Sequence, residues 1–159
     1  MNITTHTKDI LFTEDTLIAH CCNIQNTMGS GVAKALRTTF PEVYTADTKA
    51  YITYGKNLLG RCELVTITKS SLPVNTIKYV ANLYGQPNYG VIGRHVDYEA
   101  FYQALESLRD QVRPLGITSL SMPYKIASDR AGGHWPIVLE MIKHIFDMTG
   151  ITINLYKLN

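Results

Sequence analysis

The chain has 159 residues, 45% hydrophobic and 18% charged, with a formal net charge of +2. That length suits one domain with a single sizeable core, and the balance is that of an ordinary globular protein. So small a charge argues against nucleic acid or an anionic membrane as the main partner, no apolar run is long enough to span a bilayer, and the opening MNITTHTKD lacks the apolar centre of a signal peptide.

Asn2 to Thr7 is short and threonine-rich and reads as a first strand, ending at Lys8-Asp9-Ile10, where Asp9 by residue type caps a turn. Thr16 to Cys22 is apolar and partly β-branched, the pattern of a buried strand. His20, near its end, reads as a hydrogen-bonded core residue. Three cysteines, two of them adjacent at Cys21-Cys22, do not make a disulfide framework. Free thiols and a cytoplasmic location are therefore expected. The five histidines and three cysteines show no metal-ligand spacing, so no metal is predicted.

Asn23 to Gly31 is polar and small, and Val32, Leu36 and Phe40 then follow at helical spacing. A strand, a glycine-bearing loop and a helix start suit a phosphate, because glycines let backbone N–H groups approach an anion and the first helical N–H groups lack partners. The loop is neither GxGxxG nor GxxxxGK[S/T], which argues against the usual dinucleotide fold and the P-loop. Without more, a tight strand-to-helix turn is the simpler reading.

Pro41 opens a second helix that runs to Tyr54 and closes at Gly55, with Val43, Tyr44, Ala50 and Tyr51 as its buried stripe. Cys62 to Thr68 alternates as a strand, a loop holds Pro73, and Thr76 to Leu83 is the next strand, ending in Asn82-Leu-Tyr-Gly-Gln86. Pro87 to Arg94, with Gly90 and Gly93, reads as a cover loop in which Arg94 and His95 are either solvated or meet a phosphate. Asp97 is an N-cap, and Tyr98, Phe101, Leu105 and Leu108 mark a helix that ends before Pro114. Ile117 to Met122 is a short buried strand. Ala127 to Gly133 is a loop, and Trp135 to Met148 is a helix with Trp135, Val138, Met141, Ile142 and Ile145 inward and Gly150 as terminator. Ile151 to Tyr156 is the last strand. No repeat or linker divides the chain, so residues 1–159 read as one domain.

The loops carry more than glycines. His20-Cys-Cys-Asn23 followed by Met28-Gly-Ser-Gly-Val-Ala33, then Met122-Pro-Tyr-Lys-Ile126 and Ala131-Gly-Gly-His-Trp135, resemble the two phosphate loops of macro domains, in the same order. The resemblance covers nearly the whole chain. It lies closest to the branch of ADP-ribose-1''-phosphate phosphatases and single-domain ADP-ribosyl-glutamate hydrolases. It implies a three-layer α/β/α sandwich with a mixed central sheet, acting as a monomer without a cofactor. By resemblance Asp9 and Ile10 select adenine, and Tyr156 with Leu158 borders it. Met28, Gly29, Ser30, Gly31 and Val32 cradle one phosphate; Ala127, Ser128, Asp129, Arg130, Ala131, Gly132 and Gly133 cradle the other. Asn23 faces the terminal ribose, and His20 borders the pocket with a possible proton-transfer role.

The departures matter as much. The glutamate-linked hydrolases use a lysine nucleophile where this chain has Gln86, and a catalytic acid where it has Ala131. An amide does not form the covalent sugar intermediate that an amine can. Asp129 stands two positions from that acid, beside Arg130; it is a candidate acid, base or nucleophile, with Arg130 holding a phosphate. An exposed Asp-Arg turn is the plain alternative. The reading is hydrolysis of ADP-ribose 1''-phosphate to ADP-ribose and phosphate, with Asn23, Asp129 and His20 as catalytic candidates. The alternatives are release of ADP-ribose from a modified macromolecule, a non-enzymatic ADP-ribose reader and, resting on a pI near 8.4 alone, a nucleic-acid-binding module.

Overall fold

A computed structural model describes residues 2–68, 76–89 and 93–158. Its strands are β1 (Ile3–Thr7), β2 (Leu17–Asn23), β3 (Cys62–Thr66), β4 (Tyr79–Gln86), β5 (Ser119–Pro123) and β6 (Thr152–Lys157). Its helices are α1 (Gly31–Thr39), α2 (Pro41–Tyr54), α3 (Tyr98–Val112) and α4 (Trp135–Phe146), with short 3-10 turns at Ile10–Phe12, Gly55–Leu58 and Arg113–Leu115.

The strands form one sheet in the order β1-β6-β5-β2-β4-β3; β3 is antiparallel to β4 and the other pairs are parallel. β2 is buried on both faces because its side chains alternate between two cores. Leu17 and Ala19 point to the core shared with α3 and α4, built on Phe101, Leu105, Leu108, Val138 and Ile142. Ile18 and Cys22 point to the core of α1 and α2, with Leu36, Phe40 and Val43. The result is the α/β/α sandwich with a mixed sheet that the resemblance implies.

Several boundaries differ from the sequence reading. The fourth strand begins at Tyr79 rather than Thr76 and continues through Gln86. Gly85 makes this possible as the extra residue of a bulge, since Cys22 pairs with Tyr84 while Asn23 pairs with Gln86. The last helix ends at Phe146, with Asp147 as its C-cap and Met148 in the left-handed region at φ 64°, so it stops before Gly150. On α2 the buried positions are Val43, Asp47 and Ala50, whereas Tyr51 is 42% exposed. Asp47 falls at i+4 from Val43, on the same helix face, and takes a place in the stripe that was not assigned to it. The expected loop at Pro73 and the centre of the cover loop, Gly90 included, lie outside the described residues.

The sheet has a switch point between β2 and β5: from β2 the chain winds to β4, and from β5 it winds the other way to β6. Loops that leave the carboxyl ends of such neighbouring strands splay apart and open a crevice where ligands bind in α/β sheets. The two loops leaving β2 and β5 are the two singled out in the sequence.

Candidate functional site

The first loop is held by its own amides. Asn23 closes an Asx turn, its Oδ1 accepting from Gln25 N at 2.8 Å, and its Nδ2 donates to Thr27 O at 3.1 Å. Ile24 N donates to Gln86 O at 2.9 Å, which fastens the loop to the end of β4. Asn26 takes the left-handed conformation at φ 57°, which asparagine tolerates better than most residues. Met28 is buried and anchors the far side. Ser30 stands at the N-cap of α1 with no side-chain capping bond, so the first helical N–H groups lack that partner. Gly31 sits at φ 60°, and a Cβ at Gly29 would meet no protein atom within 4 Å, which leaves the backbone approachable.

The second loop is tighter. Lys125 and Ala127 both occupy the left-handed region, at φ 57° and 62°, and Ile126, Ser128 and Gly133 donate back to Pro123, Lys125 and Ala127. Its glycines serve close packing: a Cβ on Gly132 would collide with Gly93 O and Arg94 Cα of the cover segment, and one on Gly133 with Ala127 O of the loop itself. The Ala131 carbonyl accepts from His95 N at 2.7 Å and Val96 N at 3.0 Å, so the exit of the cover segment and the second loop form one unit. Arg94 lies over the Tyr98 ring at 4.6 Å, and the Tyr98 hydroxyl accepts the His134 N–H where α4 begins.

Arg130 joins the two loops. Its Nε lies 3.9 Å from the place a Cβ on Gly31 would take, so the guanidinium stands over the start of α1. It has no carboxylate partner among the described residues. The exposed Arg130 guanidinium, uncapped helical N–H groups and an approachable Gly29 thus lie close together, a setting for a phosphorylated ligand. Asp129 is exposed beside it.

Other candidates differ from what the resemblance implies, while His20 as a hydrogen-bonded core residue and Asp9 as a turn cap agree with the reading of the residues themselves. His20, expected to border the pocket, is 2% exposed; its Nε2 lies 2.6 Å from Asn82 Oδ1 and 3.4 Å from Cys22 Sγ. Burial lowers its pKa to about 4, so the ring is neutral and closed off from solvent. Tyr156, expected against adenine, is nearly buried; it stacks on His6 at 4.8 Å and accepts from Thr13 Oγ1 at 2.9 Å. Leu158 is exposed. Asp9 Oδ1 accepts from Leu11 N at 3.0 Å, capping the 3-10 turn that buries Ile10, so one carboxylate oxygen is already committed. Gln86 is beside Asn23, its Nε2 donating to Asn88 O at 3.2 Å, and Ala131 is buried. Lys78 does not substitute for a lysine at Gln86: the eight positions between them span about 26 Å along the strand.

What sequence reading missed is a buried polar chain beneath the first loop: Asn26, Asp47, Tyr84, Asn82 and His20. Its signal was present. Asp47 lies at helical spacing among apolar residues, and Asn82 and Tyr84 lie two apart on one face of a strand that is buried throughout.

The architecture is that of an α/β/α sandwich on a mixed six-stranded sheet, and the family model for the macro domain matches residues 19–142. The chain belongs to the macro domain family. No curated protein sequence matches it. Among solved structures it is similar to the macrodomain of Mycobacterium tuberculosis DarG (TM-score 0.81, 20% identity, covering 99% of this chain and 98% of that one). It is also similar to a macrodomain protein from Streptomyces coelicolor (TM-score 0.76, 24% identity, covering 99% and 100%). Thermosipho africanus DarTG in complex with ADP-ribose matches at a TM-score of 0.80 and 20% identity, over 98% of this chain and 41% of that one.

Proposed function

We propose that this chain binds ADP-ribose in the crevice between the loops that follow β2 and β5, and that it hydrolyses ADP-ribose 1''-phosphate. The observation that carries the binding is Arg130 standing over the uncapped start of α1 beside Gly29 and Gly31. The Thermosipho relative that holds ADP-ribose supports the ligand class. In this reading Met28 to Val32 and Ala127 to Gly133 take the diphosphate, Asp9 and Ile10 the adenine, and Asn23 the terminal ribose. ADP-ribosylated macromolecules are the further ligands that the same pocket would admit at its ribose end.

For turnover, Asp129 takes a proton from water as the water oxygen attacks phosphorus. The bond from phosphorus to the ribose 1''-oxygen breaks, and the leaving oxygen takes up a proton to give ADP-ribose and inorganic phosphate. Asp129 beside a phosphate is repulsive by itself; Arg130, next in the chain, supplies the opposite charge. His20 is given no part in this step, because its ring is buried and its Nε2 is engaged with Asn82.

A second reading, binding without turnover, is favoured by Gln86 and Ala131. An amide and a buried methyl stand where the glutamate-linked hydrolases are expected to carry their reactive pair. Calorimetry with ADP-ribose and AMP, followed by phosphate release from ADP-ribose 1''-phosphate in the same preparation, separates these. Micromolar-range binding with release that falls at least about 100-fold in Asp129→Ala is the expected result. Binding with no release of phosphate, or of ADP-ribose from a glutamate-linked substrate, would leave the reader. Equal affinity for ADP-ribose and AMP would remove the pocket assignment.

A further inference from the structure

Asp47 lies on the inner face of α2 and is 1% exposed, with no cation paired to it among the described residues. Its Oδ1 accepts from the Tyr84 hydroxyl at 2.6 Å and its Oδ2 from Asn26 Nδ2 at 2.8 Å. Behind Tyr84, Asn82 Nδ2 donates to the phenol oxygen at 3.5 Å, and the neutral His20 ring donates from Nε2 to Asn82 Oδ1 at 2.6 Å. Every donor in this chain is directed towards the Asp47 carboxylate. A buried carboxylate costs desolvation energy that an apolar residue at the same place would not. What it provides is a fixed acceptor facing the first loop.

The group it faces is fully engaged. Asn26 Nδ2 also reaches Thr48 Oγ1 at 3.1 Å, its Oδ1 accepts from Thr48 Oγ1 at 3.3 Å and Tyr44 OH at 3.4 Å, and its carbonyl accepts from Tyr44 OH at 3.2 Å. Asp47, Thr48 and Tyr44 all belong to α2, so this helix grips the loop at one residue. That residue holds a left-handed backbone between Asn23 and Met28. A loop gripped there has little freedom to move the backbone that follows it.

We propose that Asp47 is a positioning residue: through Asn26 it holds the loop in the shape that presents Gly29 to Val32 to the diphosphate. The role in binding rests on the ADP-ribose reading above; the role in shaping the loop does not. The two are therefore measured separately, by hydrogen exchange of the residue 24–31 amides and by calorimetry with ADP-ribose.

Asn26→Asp sets two carboxylates against each other. Combining it with Asp47→Asn restores the bond between the two positions, because the new amide at position 47 donates to the new carboxylate at 26 and still accepts from Tyr84; the donation from position 26 to Thr48 Oγ1 is the bond that is not restored. Asn26→Gly removes the carboxamide while keeping the left-handed backbone accessible, and serves where the charged variant folds poorly. In Asn26→Asp and Asn26→Gly, loop exchange should quicken and ADP-ribose binding weaken about 10-fold or more; in the exchanged pair both should return to within about 3-fold of the parent. Rescue by the exchanged pair is what a merely space-filling role for Asp47 would not produce. If the parent binds ADP-ribose and neither single variant alters affinity or exchange, the proposal is overturned. If the parent does not bind ADP-ribose, the functional reading fails and exchange alone decides: quickened loops rescued by the pair uphold the positioning role, and unchanged loops end it.

Discussion

His20 and Asp47 illustrate how one buried polar chain sets opposite pH responses at single residues. His20 is buried as a neutral ring with its pKa lowered from 6.5 to about 4. The unfolded chain therefore binds a proton that the folded chain refuses, and stability falls as pH drops from about 6.5 towards 4. The full loss from this group is roughly 3 kcal/mol. Asp47 acts in the other sense: burial raises its pKa, so the folded chain takes up a proton more readily and gains stability as pH falls through the raised value. Urea unfolding at a series of pH values should show a decline below pH 6.5 that is flattened in His20→Gln, whose amide keeps a donor for Asn82. An equally steep decline in that variant would mean that another group carries it.

At the scale of elements, the decisive feature is the bulge at Gly85. It lets β4 run to Gln86, turns Asn23 and Gln86 side by side at the mouth of the crevice, and offers its carbonyl to Asp97 N at 2.7 Å where α3 begins. There is no room for a side chain: a Cβ at Gly85 would come within 2.9 Å of Phe101 and 3.2 Å of Cys21 Sγ. Gly85→Ala should lower stability by about 1–3 kcal/mol in chemical denaturation, because Phe101 is fully buried and has nowhere to move. It should also weaken ADP-ribose binding, since the end of β4 holds the first loop through Ile24. Full stability in Gly85→Ala would show that the bulge relaxes without α3.

For the molecule as a whole, the proposed site is shared among four segments at the switch point: the loop after β2, the start of α1, the loop after β5 and the exit of the cover segment. A ligand that bridges them ties both helical layers to the sheet and binds only the folded chain. ADP-ribose at a hundred times its dissociation constant should add about 2.7 kcal/mol, a rise in Tm of roughly 5–10 °C for a domain of this size. AMP at the same concentration should give a smaller rise, because it lacks the second phosphate and the terminal ribose. Equal shifts from the two ligands would place recognition in the adenosine half alone.

Much of this was determined by the sequence itself. Apolar spacing together with composition and turn residues located the four helices and six strands found among the described residues, since spacing at 3.6 or 2 residues follows from which face must leave water. Pro41, Gly55 and the Asp97 cap set boundaries through local backbone chemistry, and the two loop motifs carried the resemblance to macro domains that the family model bears out. The tertiary structure decided what depends on neighbours distant in the chain. It closed His20 off behind Asn82, turned Tyr156 against His6 and Thr13, and brought Arg130 over Gly31, about a hundred positions away. It also buried Asp47, whose charge argued for solvent until Tyr84 and Asn26 supplied donors. Local pattern records which residues prefer to avoid water; whether a polar group finds its partners is settled only when separate strands and helices are brought into contact.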